Sequence, residues 1–448
     1  MAIGSRAFAV LAALVTLSLA APVYAGGNQD GPTYYRDVLP IMQAHCQGCH
    51  RPSGQNLTGL IAPMSFMDYQ ETRPWARAIA SKVQAREMPP WFASAPKGVF
   101  SNERGLTDDE IDTLASWVEA GAPGGDRADA PPARDWTNGT NDGWMHGTPD
   151  FVVKMPRPYL VEDDVYDLNI SFYTRLSEAD LPEDVWVRGT ELWVGDNRIT
   201  HHMCVWVYPP DEQVRADGSR VEDGAAVEGE GATSDVDGSI RLSCAAQGSE
   251  SGMLPDGYGI PIEKGSLIGF HMHYYKEPGP GTAVTSQAEI GFFVSREPAQ
   301  FAVRTEEIFN RGFQIPPNHP RYRVGSSRVL EHDTHVVSLW PHTHKRGTAA
   351  RYTAIYPDGT EELLLDVPNY DQGWQITYKY KEPKVFPRGT RIEFDSWYDN
   401  TPERAARQDF DSNRFVGHGP KTNDEMSLGF FSFAEAVTSG EAATDINR

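Results

Sequence analysis

The sequence predicts a multidomain protein in which a small all-α domain precedes two all-β sandwich domains. Three observations predict it. At 448 residues the chain is longer than one hydrophobic core ordinarily organises. Residues 31 to about 122 carry helical patterning with helix caps, whereas beyond Phe151 the apolar residues alternate with period two. The 41 glycines and 33 prolines supply the turns that a β-rich chain needs.

The elements follow in order. Residues 1–25 read as a secretion signal: Arg6 gives the positive start, Phe8 to Ala21 is apolar but short for a bilayer span, and Val23-Tyr24-Ala25 offers small residues for cleavage. The mature chain is expected to be periplasmic or secreted, with no membrane span. The helical domain is expected over 26–122, with one helix from near Thr33 into the cysteine motif and a second over Arg73 to Arg86. A third starts at Thr107, where Thr-Asp-Asp-Glu makes a capping box, and ends at Gly121. Gly, Pro, Asp and Asn crowd 123–149, which reads as a linker.

Beyond it, segments such as Leu267-Ile-Gly-Phe-His-Met-His-Tyr-Tyr and Arg391-Ile-Glu-Phe-Asp-Ser-Trp-Tyr alternate and are rich in aromatic and β-branched residues, which argues strands. Some 300 such residues exceed one sandwich, so two are expected, over 150–300 and 301–448. The acidic, Gly-rich stretch 210–240 reads as an insertion loop.

A formal net charge of -22 argues against a nucleic-acid partner, whose phosphates would be repelled. Of four cysteines, Cys204 and Cys244 can form a disulfide in an oxidising compartment, or stand as two thiols.

Cys46-Gln47-Gly48-Cys49-His50 has the spacing C-x-x-C-H. Two thiols so placed can make thioethers to one haem while the adjacent His reaches the iron. A thioredoxin-like pair or half a zinc site are the rivals, but no second zinc pair lies nearby. Met88, in Arg86-Glu87-Met88-Pro89-Pro90-Trp91, is the candidate sixth ligand, its loop fixed by two prolines. Met64 and Met67 compete for that role, and His45 reads as a solvated surface residue. With its closing helix, the segment from 31 to about 125 resembles the class I cytochrome c family, which implies covalent haem c held by Cys46, Cys49, His50 and Met88.

The later histidines are grouped: His201-His202, then His271-x-His273, then His342-Thr343-His344, with Asp424-Glu425-Met426 near the end. Residues i and i+2 of a strand face one side, so one metal can take both members of the 342/344 pair. The adjacent pair 201/202 needs a bulge or a strand end to do the same. In this order the motifs resemble the copper type II, ascorbate-dependent monooxygenases, which include peptidylglycine α-hydroxylating monooxygenase and dopamine β-monooxygenase. Supporting the resemblance are Tyr356-Pro-Asp-Gly and Trp397-Tyr-Asp-Asn.

The resemblance implies two jelly-roll-like domains, each holding one copper ion, across a solvent-filled gap. One copper falls to His201, His202 and His273, with His273 favoured over His271 because a Tyr follows it. The other falls to His342, His344 and Met426, where dioxygen binds and a substrate C–H bond is hydroxylated. Imidazole suits copper in both redox states and a thioether favours Cu(I). Two departures stand out. Trp340 replaces the Arg with which the peptide-amidating member holds a carboxylate, and Phe430 replaces its Tyr, so a more apolar organic substrate is expected. The fusion suggests that an external donor reduces the haem, which then feeds the all-histidine copper. The alternative is an electron-transfer or copper-binding haemoprotein that inserts no oxygen.

Overall fold

The computed structural model describes residues 31–51, 62, 64–134, 144, 146–210, 224–228, 239–246, 252–419 and 421–437. The expected signal segment, much of the expected linker and most of the acidic loop lie outside the described residues. Among those described, no helix is long and apolar enough to cross a membrane.

The N-terminal part is helical. Its first helix, α1, is a continuous run of three short segments, Tyr34–Val38, Leu39–Ile41 and Met42–Cys46, in which π turns flank an α turn. A capped turn at Tyr69–Thr72 leads into α2, Ala76–Gln84. A 3-10 turn at Arg73–Trp75 joins the two, so the helix expected over Arg73 to Arg86 is helical from its start and ends two residues early, where Arg86 adopts a left-handed φ of 53°. Helix α3, Asp108–Glu119, begins with the predicted capping box: the Thr107 side chain accepts from the Glu110 N–H, and the Glu110 carboxylate accepts from the Thr107 N–H. Tyr34, Val38, Met42, Val83, Leu114 and Trp117 are buried together as this domain's core.

The rest is β. Eight principal strands build the first sandwich: β1 Phe151–Lys154, β2 Asp167–Arg175, β3 Val185–Trp193, β4 Thr200–Tyr208, β5 Ile240–Ala246, β6 Tyr258–Ile262, β7 Leu267–Tyr275 and β8 Glu289–Val294. Eight more build the second: β9 Phe301–Phe309, β10 Tyr322–Val329, β11 Thr334–His342, β12 Gly347–Ile355, β13 Glu361–Val367, β14 Tyr378–Phe386, β15 Arg391–Tyr398 and β16 Leu428–Ala436. One outer sheet holds β2-β7-β4-β5, and the other holds β10-β15-β12-β13.

The two inner sheets are one. Strands run β1-β8-β3-β6-β9-β16-β11-β14, joined where β6 and β9 pair in parallel at Tyr258/Phe301 and Gly259/Ala302. Val303, Val337 and Ala434 of the second sandwich are buried in the core of the first. The sequence predicts two separate sandwiches; the structure joins them by main-chain pairing, which periodicity within a strand cannot reveal.

The helical domain is fastened to the second sandwich. Beyond Met88 the chain crosses onto β14 and its neighbours. Ser94 N–H donates to the Asp366 carbonyl, Lys381 N–H to Val99, and Ser101 N–H to Lys379. Phe100 makes an antiparallel bridge to Tyr380 and stacks on its ring at 5.1 Å, while Trp91 lies edge-on to Tyr378 at 5.0 Å. Phe100 is buried in the core of the second sandwich. The segment thus adds to a sheet edge that would otherwise offer unpaired main-chain groups.

Candidate haem and metal centres

Helix α1 ends at Cys46, and the turn closes as the N–H groups of Cys49 and His50 donate to the Cys46 carbonyl. Cys46 and Cys49 are half-buried and not joined in a disulfide. The His50 ring stacks on Phe66 at 4.2 Å and 13°. Its Nδ1 donates to the Met64 carbonyl at 3.1 Å, which leaves Nε2 with a lone pair. Burial lowers the His50 pKa against the raising effect of that carbonyl, so the ring is neutral. Two thiols and an imidazole nitrogen free to ligate fit a covalent haem. Met88 sits half-buried in the loop after α2. His45, expected in solvent, is half-buried with Nε2 3.0 Å from a Glu110 carboxylate oxygen.

On the first sandwich, His201, His202 and His273 converge. Strand β7 pairs His273 with His202 but Tyr274 with Thr200, leaving His201 as the extra residue of a bulge. That bulge overcomes the alternation that would send adjacent side chains to opposite faces. His202 Nδ1 lies 3.3 Å from His201 Nδ1 and 3.3 Å from His273 Nδ1. On its other side, His273 Nε2 is 2.8 Å from Asp167 Oδ1, which fixes the proton there and turns the Nδ1 lone pair inward. Burial above all, then the neighbouring imidazoles, pushes His201 down to about 4 and His202 well below its usual value. Three imidazoles turning ring nitrogens to one point fit a metal cation. His271 is turned to another task, with Nδ1 3.1 Å from Ser171 Oγ.

On the second sandwich, His342 ends β11 and His344 follows two residues later, their rings 5.3 Å apart and at 88°. His342 Nδ1 donates to Gln375 Oε1 at 2.8 Å, and His344 Nδ1 faces the Asp424 carbonyl at 3.3 Å, so both rings present Nε2. Burial pushes His342 down to about 4 and His344 to about 3. The intervening Thr343 is pinned by its N–H and carbonyl to the Tyr370 hydroxyl.

Sequence reasoning missed the scaffold beneath this pair. Glu425, fully buried, accepts the N–H of His344 at 2.9 Å and of Arg346 at 2.6 Å. Arg346, also fully buried, donates to Asn400 Oδ1 and to the Asp411 and Asn423 carbonyls. Gly347 permits the tight turn, since a Cβ there would lie 1.7 Å from Thr343 Oγ1. Met426, next to Glu425, packs on the apolar cluster of Trp340, Leu428 and Phe430. His418, unremarked in the sequence, lies close enough to depress His344. Spacing gave no signal for these groups; only the Lys-Arg-Gly after the His pair hinted at a turn.

The same apolar cluster also takes in Trp206, Cys204 and Cys244 of the first sandwich. Cys204 and Cys244 are disulfide-bonded, pinning β4 to β5. The resemblance implied open solvent between the two histidine groups; here the sheets that carry them touch through Trp340 and Phe430. His342 is near enough to lower His201 and His202.

Compared with known proteins, residues 40–122 match the family model for cytochrome c. No curated protein matches the chain. Among solved structures, a chain of Broad Bean Stain Virus is 8% identical, with 66% of this chain and 92% of that chain covered, at a TM-score of 0.26. A chain of the Cowpea mosaic virus top component is 6% identical, with 66% and 93% covered, at a TM-score of 0.27. Likenesses that weak carry no argument. The family match and the C-x-x-C-H geometry agree: the N-terminal part of this chain is a cytochrome c domain, with covalent haem c implied, ahead of a large all-β region.

Proposed function

We propose that this protein is an exported haem- and copper-dependent monooxygenase that hydroxylates a C–H bond of an organic substrate with dioxygen. The observation that carries the reading is the pair of histidine groups. In the first, three imidazole nitrogens face one another with His273 held from behind by Asp167; in the second, burial keeps both rings neutral, and each has its Nδ1 held by a fixed partner. Copper, when bound, supplies one-electron chemistry and a position for dioxygen. The protein's own contribution is orientation: Asp167 sets His273, Gln375 sets His342, and Glu425 with Arg346 rigidifies the loop that carries His344. Met426 is the thioether assigned to the second group. The Trp340–Phe430 cluster keeps bulk water from one side of it.

The cytochrome c domain is the electron supply, itself reduced by an external donor. The segment after Met88 is fastened on β14, where Tyr378 pairs with Leu339 of β11, the strand that ends in His342. This favours the second group as the side on which electrons arrive, in place of the all-histidine group expected from the fusion alone.

Metal and haem analysis of purified protein tests the reading. Two copper ions and one haem per chain are expected, together with oxygen uptake matched by a hydroxylated product. Absence of copper, or uptake with no oxygenated product, would leave an electron-transfer haemoprotein instead. Met426→Ala is expected to abolish oxygen insertion with the haem spectrum unchanged; undiminished turnover would show the ligand assignment to be wrong. Haem that stays reduced through many turnovers after rapid mixing would remove its role as donor.

A further inference from the structure

A column of aromatic rings joins the loop after Met88 to the second histidine group. Trp91, three residues beyond Met88, lies edge-on to Tyr378 with ring centres 5.0 Å apart. Tyr378 and Tyr370 are buried in the core of the second sandwich, against which Trp91 packs. The two phenols are near neighbours: Tyr370 helps to raise the Tyr378 hydroxyl, which also meets the Phe92 main chain. The Tyr370 hydroxyl in turn accepts the Thr343 N–H at 3.2 Å and donates to the Thr343 carbonyl at 3.2 Å. Thr343 is the residue between His342 and His344.

A core is filled as well by phenylalanine as by tyrosine, and a buried hydroxyl must find a partner. The partner that Tyr370 finds is the main chain of the histidine pair itself. Burial raises both hydroxyls well above the usual tyrosine value. Tyr370 donates to a carbonyl and not to a carboxylate, so its proton has no base to go to. A phenol that keeps its proton is hard to oxidise. These rings therefore suit a packed and bonded medium for tunnelling, which an electron crosses more readily than an open gap of the same length. The ladder from Tyr378 to Leu339 leads along β11 to His342, so the main chain and the rings end at one place.

We propose that Trp91, Tyr378 and Tyr370 form the electron path from the haem domain to the second histidine group, which they enter through the Thr343 main chain. The proposal rests on the monooxygenase reading for its two redox ends, and names the positioning residues between them. One electron passes from ferrous haem to a cupric ion, leaving ferric haem and a cuprous ion; no proton moves and no ring is oxidised. Tyr380, in the same core, is a built-in comparison. Its ring stacks on Phe100 at 5.1 Å, but its hydroxyl donates to the Leu364 carbonyl at 2.7 Å, on β13, and not to the histidine pair.

Flash photoreduction of the haem in full-length, copper-loaded protein without oxygen tests the proposal, with haem absorbance followed as the electron passes to copper. Tyr370→Phe and Trp91→Leu are each expected to slow this passage several-fold, with the copper EPR spectrum and the haem potential as in the parent protein. Tyr380→Phe, which also removes a buried hydroxyl, is expected to leave the rate unchanged. Protein loaded with zinc in place of copper is expected to keep its haem reduced. Tyr370→Phe, which keeps the ring, carries the test alone should Trp91→Leu not fold. Passage undiminished in a folded variant, or slowed as much by Tyr380→Phe, overturns the proposal. So does an EPR spectrum that changes along with the rate in Tyr370→Phe, since Tyr370 would then be a brace for the histidines. Product analysis separates the two readings. Protein that hydroxylates with a chemical reductant while its haem never passes an electron sinks the path and keeps the enzyme. Passage along these rings with no oxygenated product does the reverse, and protein that binds no copper sinks both.

Discussion

Glu425 shows how much one side chain holds. Burial pushes its pKa up to about 8, against the lowering effect of the Arg346 and His344 N–H groups that it accepts. Glu425→Ala would leave both donors buried and unpaired, at a cost of roughly 2–4 kcal/mol. A fall in melting temperature together with weaker metal binding at the second group, but not the first, is the expected result; equal loss at both would show that the effect is global. The buried imidazoles at 201, 202, 271, 342 and 344 set a pH dependence. All have pKa values lowered by burial, so below about pH 6.5 the unfolded chain binds protons that the folded chain refuses. Their contribution is therefore present at neutral pH and lost as pH falls from the ordinary histidine value towards the lowered ones. Melting curves of chelated protein are expected to drop over that interval, and added copper to oppose the drop. A flat profile would mean that these rings are hydrated.

Two elements brace the β region, one tying the helical domain to it and one within the first sandwich. The segment after Met88 is short, yet it contributes a buried Phe100 and main-chain bonds to β14. Phe100→Ala is expected to cost about 3–5 kcal/mol locally. Amides from 94 to 102 would then exchange faster with solvent while the haem spectrum stays as it was. Protection unchanged in the variant would mean that the segment is held by the main chain alone. Strands β4 and β5 are joined by the Cys204–Cys244 bridge across 40 residues, much of that span outside the described part. Cys204→Ser with Cys244→Ser removes a constraint worth roughly 2–4 kcal/mol. Because His202 is two residues from Cys204, lowered copper affinity at the first group is expected alongside lowered stability. Stability lost with affinity intact would make the bridge a brace for the sheet only.

For the whole molecule, much was legible in the sequence. C-x-x-C-H places two thiols for thioether formation beside one ligating imidazole by local geometry, the capping box at Thr107 fixes a helix start, and period-two alternation fixes strands, because each depends on neighbours within a few residues. The adjacent pair His201-His202 called for a bulge or a strand end, and the structure supplies the bulge. What the sequence could not state is which distant segments meet. Asp167 and Gln375 reach their histidines across 106 and 33 residues, and Glu425 reaches the His344 N–H across 81. The sheet continuous through β6 and β9, the segment 91–102 laid on β14, and Arg241 stacked on two rings of the other sandwich are likewise long-range pairings. Chain pattern determines an element's type and its buried face. The partner that face finds is decided by burial and hydrogen bonding summed over the folded whole, and here that sum chose an apolar, cation-capped junction where the family resemblance implied a gap filled with solvent.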